Sequence, residues 1–273
     1  MTHKNLRKFF LKGPYFPAHS ENRMDSEGDV LAARNNFLSK KFNNLDFLLK
    51  QRYSWMNEYI DSQQKIIEIG VGAGFSEFYL KDKPILTDVV INNWVDDIVD
   101  ATNMKYPNGS IDVIIASHNI HHFYSPYKFF VECQRVLKKG GLVLIQEVNT
   151  SLLMRILLKL MRHEGWSYDK DVFDPKEITN DKKDPWSANC AVPELLFSSK
   201  QKFEANFNSL SIIENKLCEC LIMPVSGGVI SKTKMIELPT IILKLISYLD
   251  KLLIYIFPNF FALGRRVVLR KKE

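Results

Sequence analysis

Glu68, Gly70, Gly72 and Gly74 alternate at the end of a short apolar run, residues 65–70. Glycines at a strand-to-helix crossing let the backbone approach a ligand that a side chain would exclude. A dinucleotide fingerprint needs G-x-G-x-x-G, to lay a pyrophosphate on a helix N-terminus. Counted from Gly70, its third glycine position is Phe75. The pattern therefore suits a ligand without phosphates and weakens a nicotinamide oxidoreductase. Asp88 comes 20 residues after Glu68, at the expected end of a second strand. A carboxylate there can accept from both hydroxyls of a ribose. Asp100, at a third strand, could accept from an adenine amine while Ala101 offers its backbone amide.

His118, His121 and His122 follow a fourth apolar run, residues 111–117, and Glu147 stands in a fifth, residues 142–148. Imidazole titrates near neutrality, so such groups can take a proton from a hydroxyl or amine. Each could equally cap a helix or pack. His163 and Glu164 open a second candidate region, residues 163–190, rich in Trp, Asp, Pro and Asn. Its aromatics could wall a sugar ring or another flat group, or hold a lid together. His121, His122, His163 and Glu164 are the candidate catalytic residues. Cys133, Cys190, Cys218 and Cys220 form no paired framework and read as free thiols in a reducing compartment. The sequence pattern supplies no metal-ligand set.

These residues need a frame. Apolar spacing predicts a helix over residues 44–60 and buried strands over 65–70, 84–90, 98–102, 111–117 and 142–148. A helix start is expected at residues 75–80 and a full helix at 126–137, with residues 138–141 as its cationic, glycine-rich cap. A helix at 151–161, a bent sixth strand at 210–223, an apolar helix at 236–257 and a last strand at 265–270 follow. Strands alternating with helices imply a doubly wound, mostly parallel α/β sheet covered on both faces. Seven strands result, with an N-terminal helical extension and a helical insertion after strand five. The expected divisions are 1–60 extension, 61–150 core, 151–235 insertion and sixth strand, and 236–273 completing the same domain.

Residues 66–74, 100–102, 109–115, 121–123 and 135–141 together resemble the class I methyltransferases, and most of all the methyltransferase type 11 domains. The resemblance covers about residues 60–150 and implies a Rossmann-like fold and S-adenosylmethionine as cofactor. It implies that Glu68, Gly70, Val71, Gly72 and Gly74 line the methionine part, that Asp88 and Val89 hold the ribose, and that Asp100 and Ala101 hold the adenine. Ser117 and His118 would close the site. The expected activity is methyl transfer to an O or N atom of a small molecule or glycan precursor. A lipid or quinone methyltransferase at a membrane surface and a non-catalytic cofactor-binding module are the alternatives.

With 273 residues, 46% of them hydrophobic, one full α/β core is affordable. The net charge of +6 gathers at Lys4, Arg7, Lys8 and Lys12 and at Arg265, Arg266, Arg270, Lys271 and Lys272. Solvated tails are the simpler reading of both groups. No basic run with interleaved aromatics marks the middle, so nucleic acid is not favoured. No apolar leader follows the basic start, and no unbroken apolar run reaches about 18 residues. A cytoplasmic protein is expected. In the helix at 236–257, Lys244, Ser247 and Lys251 share one face. A core helix with a narrow wet stripe, or a homodimer contact, is favoured over peripheral contact with the inner membrane face.

Overall fold

The computed structural model describes residues 13–15, 29–40, 42–162, 164–184, 187–230 and 233–273. Two helices come first, α1 (Val30–Lys40) and α2 (Asn43–Tyr53), the second running on as a 3-10 turn, Ser54–Glu58. β1 (Ile66–Ile69), β2 (Ile85–Asp88), β3 (Asp97–Ile98) and β4 (Ile111–Ser117) precede α3 (Pro126–Val136) and β5 (Leu137–Val148). Then come α4 (Leu152–Met161), α5 (Val192–Phe197), α6 (Lys200–Asn206), β6 (Leu210–Cys218) and α7 (Ile222–Val225). The chain finishes with α8 (Thr240–Ile256), α9 (Pro258–Phe261) and β7 (Gly264–Lys271).

The seven strands lie in the order β3-β2-β1-β4-β5-β7-β6, and β7 alone runs opposite to the other six. Alternate residues of the central strands feed two cores. Ile67, Ile69, Ile114 and Ile145 pack on Phe129, Phe130, Phe197 and Phe203. Ile66, Val113, Ile115 and Leu144 pack on Phe37, Leu45, Leu49 and Phe75. Burial on both faces is why these strands read as nearly continuous apolar runs. Strand order reverses between β1 and β4, so a crevice is expected outside their C-terminal ends.

Several expected elements differ in detail. The helix after the glycines is only a 3-10 turn, Phe75–Phe78; Pro84 soon follows and pushes its neighbour toward extended backbone. β3 is two residues long, because the Asp100 carboxylate accepts from the Thr102 amide (2.8 Å) and turns the chain. Residues 138–141 belong to β5 rather than to a helix cap. A Cβ at Gly141 would meet the Asp112 and Lys138 carbonyl oxygens at 2.9 Å, so the strand needs glycine there. α1, α5 and α6 carry too few apolar repeats to show their period: α1 buries only Ala33 and Phe37.

Two readings of the surface are overturned. Arg265 is buried in β7 and donates to Asn215 (2.8 Å) and Asn149 (2.9 Å), and Arg266 donates to the Gln51 carbonyl (2.8 Å). This end of the chain is therefore no solvated tail; Lys4, Arg7, Lys8 and Lys12 lie outside the described residues. α8 is no core helix either. It turns Leu243, Ser247 and Asp250 inward, where Asp250 caps α7 by accepting from the amides of Cys220, Leu221 and Ile222 at 2.8–3.1 Å. Its apolar side faces outward: Ile241 is 65% exposed, Tyr248 68% and Tyr255 86%. Among the described residues no helix is long and apolar enough to cross a membrane.

Candidate functional site

The glycine crossing follows β1 directly. Gly70, Gly72 and Gly74 all have positive φ, from 50° to 65°, a region that strains other residues. A Cβ on Gly70 would also press on the Asn119 amide at 3.0 Å. Val71 donates its amide to the Thr87 carbonyl (3.1 Å), tying the loop to β2. Asp88 ends β2 and accepts from the Gly72 amide (2.9 Å) and the Val90 amide (3.1 Å), while Val89 stands exposed beside it. Glu68 is buried in β1 and accepts from the Ser76 hydroxyl. Burial first, then the charge of Asp88, pushes its carboxyl up to about 8. Asp100 spends one oxygen on Thr102, and Ala101 is buried next to it.

Two residues over the crossing carry no sequence signal of their own. Trp94 donates to the Gly72 carbonyl (2.8 Å), and Arg34 of α1 donates to the Ala73 carbonyl (2.8 Å) and pairs with Glu77. A Cβ on Gly74 would strike Trp94 at 2.5 Å. The tryptophan in the loop after β2 is the one hint the sequence offers.

The second half of the site follows β4. Ser117 ends the strand, and His118 turns the chain at φ 52° with its amide on the Gln146 carbonyl (2.7 Å). Among the described residues, His118 Nε2 and Asn119 Oδ1 are buried without a hydrogen-bond partner. Glu147, fully buried on β5, organises the next turn, Ile120–His122. One of its oxygens accepts from the amides of Asn119 (2.8 Å) and Ile120 (2.6 Å), and the other binds His121 Nδ1 (2.6 Å). Asn180 and Asn189 fix the same turn by donating to the His121 carbonyl at 2.7 and 2.9 Å.

Glu164 comes in from the insertion. Its carboxylate lies 3.8 Å from His121 Nε2 and 3.7 Å from His122 Nε2, and it accepts from the Cys190 thiol (3.1 Å). His122 Nδ1 is 3.2 Å from the Ser187 carbonyl. Three of the four residues singled out as catalytic are thus brought together; the fourth, His163, lies outside the described residues. The two neighbouring imidazoles are pushed apart. Burial lowers the affinity of His121 for a proton, but Glu147 and Glu164 outweigh it and raise the group to about 10. Burial and the adjacent His121 lower His122 to about 4. Burial, Arg52 and His121 hold His118 well below the usual range. Such divergent neighbours are a mark of functional sites. Asp112 lies at the far end of β4, bonded to the Lys65 amide (2.8 Å) and to Lys138, and serves the fold.

Residues 67–145 match the family model described as "Methyltransferase domain". No curated protein matches the chain. A SAM-dependent methyltransferase from Archaeoglobus fulgidus superposes with a TM-score of 0.51 at 16% identity, covering 87% of this chain and 99% of that one. The [4+2]-cyclase SpnF gives a TM-score of 0.45 at 15% identity, over 82% of this chain and 79% of that one. Phosphoethanolamine N-methyltransferase 2 of Haemonchus contortus, in complex with S-adenosyl-L-methionine, gives 0.42 at 15% identity, over 88% and 60%. The crevice itself fits S-adenosylmethionine, the cofactor that the sequence resemblance implies. Left-handed glycines leave its floor bare, a carboxylate stands at the β2 tip, and the orphaned His118 Nε2 and Asn119 Oδ1 lie at the β4 tip.

Proposed function

We propose that the chain is a class I, S-adenosylmethionine-dependent methyltransferase that methylates an oxygen or nitrogen of a small molecule or glycan precursor; the match of residues 67–145 to a methyltransferase-domain model supports the class. The convergence of His121, His122 and Glu164 beside the glycine crossing carries this reading. Asn119 links the two halves: its side chain abuts Gly70 and its amide is held by the same Glu147 that holds His121. When bound, the cofactor supplies a sulfonium methyl, which is already a strong donor. The protein's part is orientation, exclusion of water and removal of the acceptor's proton.

The roles divide along the crevice. Glu68, Gly70, Val71, Gly72 and Gly74 face the methionine part. Asp88 with Val89 takes the ribose, and Asp100 with Ala101 the adenine. Ser117 and His118 close the site near the sulfonium. His121, cationic at neutral pH, is a positioning residue that Glu147 fixes and that aims Glu164. Glu164 receives the acceptor's proton, with neutral His122 as its neighbour. Calorimetric titration with S-adenosylmethionine, then incubation of cell extracts with labelled methyl donor, tests the reading. Micromolar binding and a labelled small product are expected. Binding without any labelled product would favour a non-catalytic module, and no binding would end the proposal.

One observation favours a second reading, an acceptor reached at a lipid surface. β7 starts beside the end of β5, so α9 and the start of α4 lie at the same end of the sheet as the crevice. Ile156 and Leu160 of α4, Phe257 and Phe260 by α9, and the outer side of α8 are all exposed. α8 has 17 residues, about 26 Å, too short to cross a bilayer but suited to lying in its interface. Lys244 and Lys251 flank the apolar side. Flotation with anionic vesicles at low salt is expected, and Leu245→Ser with Leu252→Ser should abolish it. A stable dimer that does not float would assign the strip to a second copy instead.

A further inference from the structure

We propose that His121, His122 and Glu164 form a binding site for a first-row divalent transition metal, of the Zn2+ type. The three offer one ligand atom each, all within 4.8 Å of one another. A tetrahedral ion with bonds of about 2.1 Å needs ligand atoms about 3.4 Å apart. The Glu164 carboxylate already stands 3.8 Å from His121 Nε2 and 3.7 Å from His122 Nε2. Those two contacts use different oxygens of Glu164, and with one ligand atom per residue the separations reach at most 4.8 Å, so closing the shell takes side-chain shifts of up to about 1.4 Å.

The surroundings match a metal site better than a chance cluster. Metal-bound imidazoles are usually fixed through their other nitrogen by a carboxylate or a backbone carbonyl, and ligating carboxylates are hydrogen-bonded in turn. Here Glu147 holds His121 Nδ1 at 2.6 Å, and the Ser187 carbonyl lies 3.2 Å from His122 Nδ1. Both rings thereby direct Nε2 toward Glu164, which accepts from the Cys190 thiol. Two carboxylates facing two imidazoles also favour a cation. Two nitrogens and one oxygen suit zinc or iron rather than magnesium or calcium, which prefer all-oxygen shells. Three protein ligands leave a position open, as catalytic sites do.

The use of that position rests on the methyltransferase reading; the binding does not. With the ion bound, His121 gives up its Nε2 proton to ligate and Glu164 serves as a ligand in place of the base role it has in the metal-free site; a hydroxyl acceptor, such as a sugar or catechol, would occupy the open position and lose its proton to water. Its oxygen would then bond the methyl carbon as the carbon–sulfur bond breaks, leaving the electron pair on a neutral thioether. The sequence hides this site, because Glu164 is 42 residues from His122 and no motif joins them.

The test uses the full chain, stripped with a chelator and titrated with Zn2+ by calorimetry at neutral pH. The same samples are then titrated with S-adenosylmethionine, which reports on the fold and on the methyltransferase reading separately. One Zn2+ per chain is expected, with micromolar affinity or better. His122→Ala and Glu164→Gln should each weaken it by at least about tenfold while still binding S-adenosylmethionine. No Zn2+ uptake by the wild type, or uptake unchanged in both variants, would overturn the proposal. Zn2+ binding without S-adenosylmethionine binding would leave the site standing and remove the reaction assigned to it.

Discussion

The two halves of the crevice are built in opposite ways. The half below β1 and β2 is local: Glu68, the three glycines and Asp88 span 21 residues and are bonded mostly to one another. The half beyond β4 is assembled from afar. His121, Glu147, Glu164, Asn180 and Cys190 come from five segments: the buried Glu147 holds His121, Asn180 donates to the His121 carbonyl, Glu164 approaches its ring, and Cys190 bonds Glu164. The local half should tolerate a lost side chain at its rim without loss of stability, because backbone hydrogen bonds and left-handed glycines set its shape. In the assembled half, loss of the hub should cost structure as well as chemistry.

The sharpest break of this contrast is Glu147→Ala. Glu147 accepts from the amides of Asn119, Ile120 and Val148 and binds His121, all without solvent. Removing one partner of a buried charged pair costs about 3–5 kcal/mol. Chemical denaturation should show a loss of that size. A loss under about 1 kcal/mol, the size of an ordinary surface change, would mean that the assembled half is not held by its hub.

Asp88→Ala should behave in reverse. Asp88 is half-buried at a strand tip, so stability should move by about 1 kcal/mol or less. Charge-assisted hydrogen bonds are worth about 1.5–3 kcal/mol, so S-adenosylmethionine affinity should fall by about 10- to 150-fold. Calorimetry reads both the affinity and the stoichiometry. Unchanged affinity would remove the ribose from Asp88 and leave the local half without its acid.

The same contrast explains what the sequence disclosed. The glycine spacing, the Glu68-to-Asp88 interval and the apolar strand runs are short-range signals, and they announced a doubly wound, mostly parallel sheet; its strand order and the switch point between β1 and β4 came only with the structure. His121, His122 and Glu164 were legible as candidates by residue type, but their meeting was not. It depends on Glu147 in β5 and on Ser187 and Asn189 in an insertion that has almost no regular structure. Arg34 and Trp94 closed over the glycines unannounced for the same reason. α8 misled differently. Periodicity shows that a helix has two faces, but burial of the polar one follows only once Asp250 is seen capping α7.

The smallest effect probes the boundary between the halves. Glu68 titrates at about 8 in the ligand-free protein, raised from 4.5 by burial. The native state therefore keeps a proton between pH 4.5 and 8 that the unfolded chain releases. Its stabilising contribution is full below 4.5 and is lost as pH rises through 8. A cationic ligand beside Glu68 favours the carboxylate, so binding of S-adenosylmethionine at pH 7 should expel up to about one proton. Titrations in two buffers of different ionisation enthalpy measure that number. The cofactor's own amine can also change its protonation, and Glu68→Gln separates the two sources by removing only the protein's. Equal proton release by wild type and variant would mean that Glu68 does not sense the cofactor. The methionine end of the local half would then rest on its glycines alone.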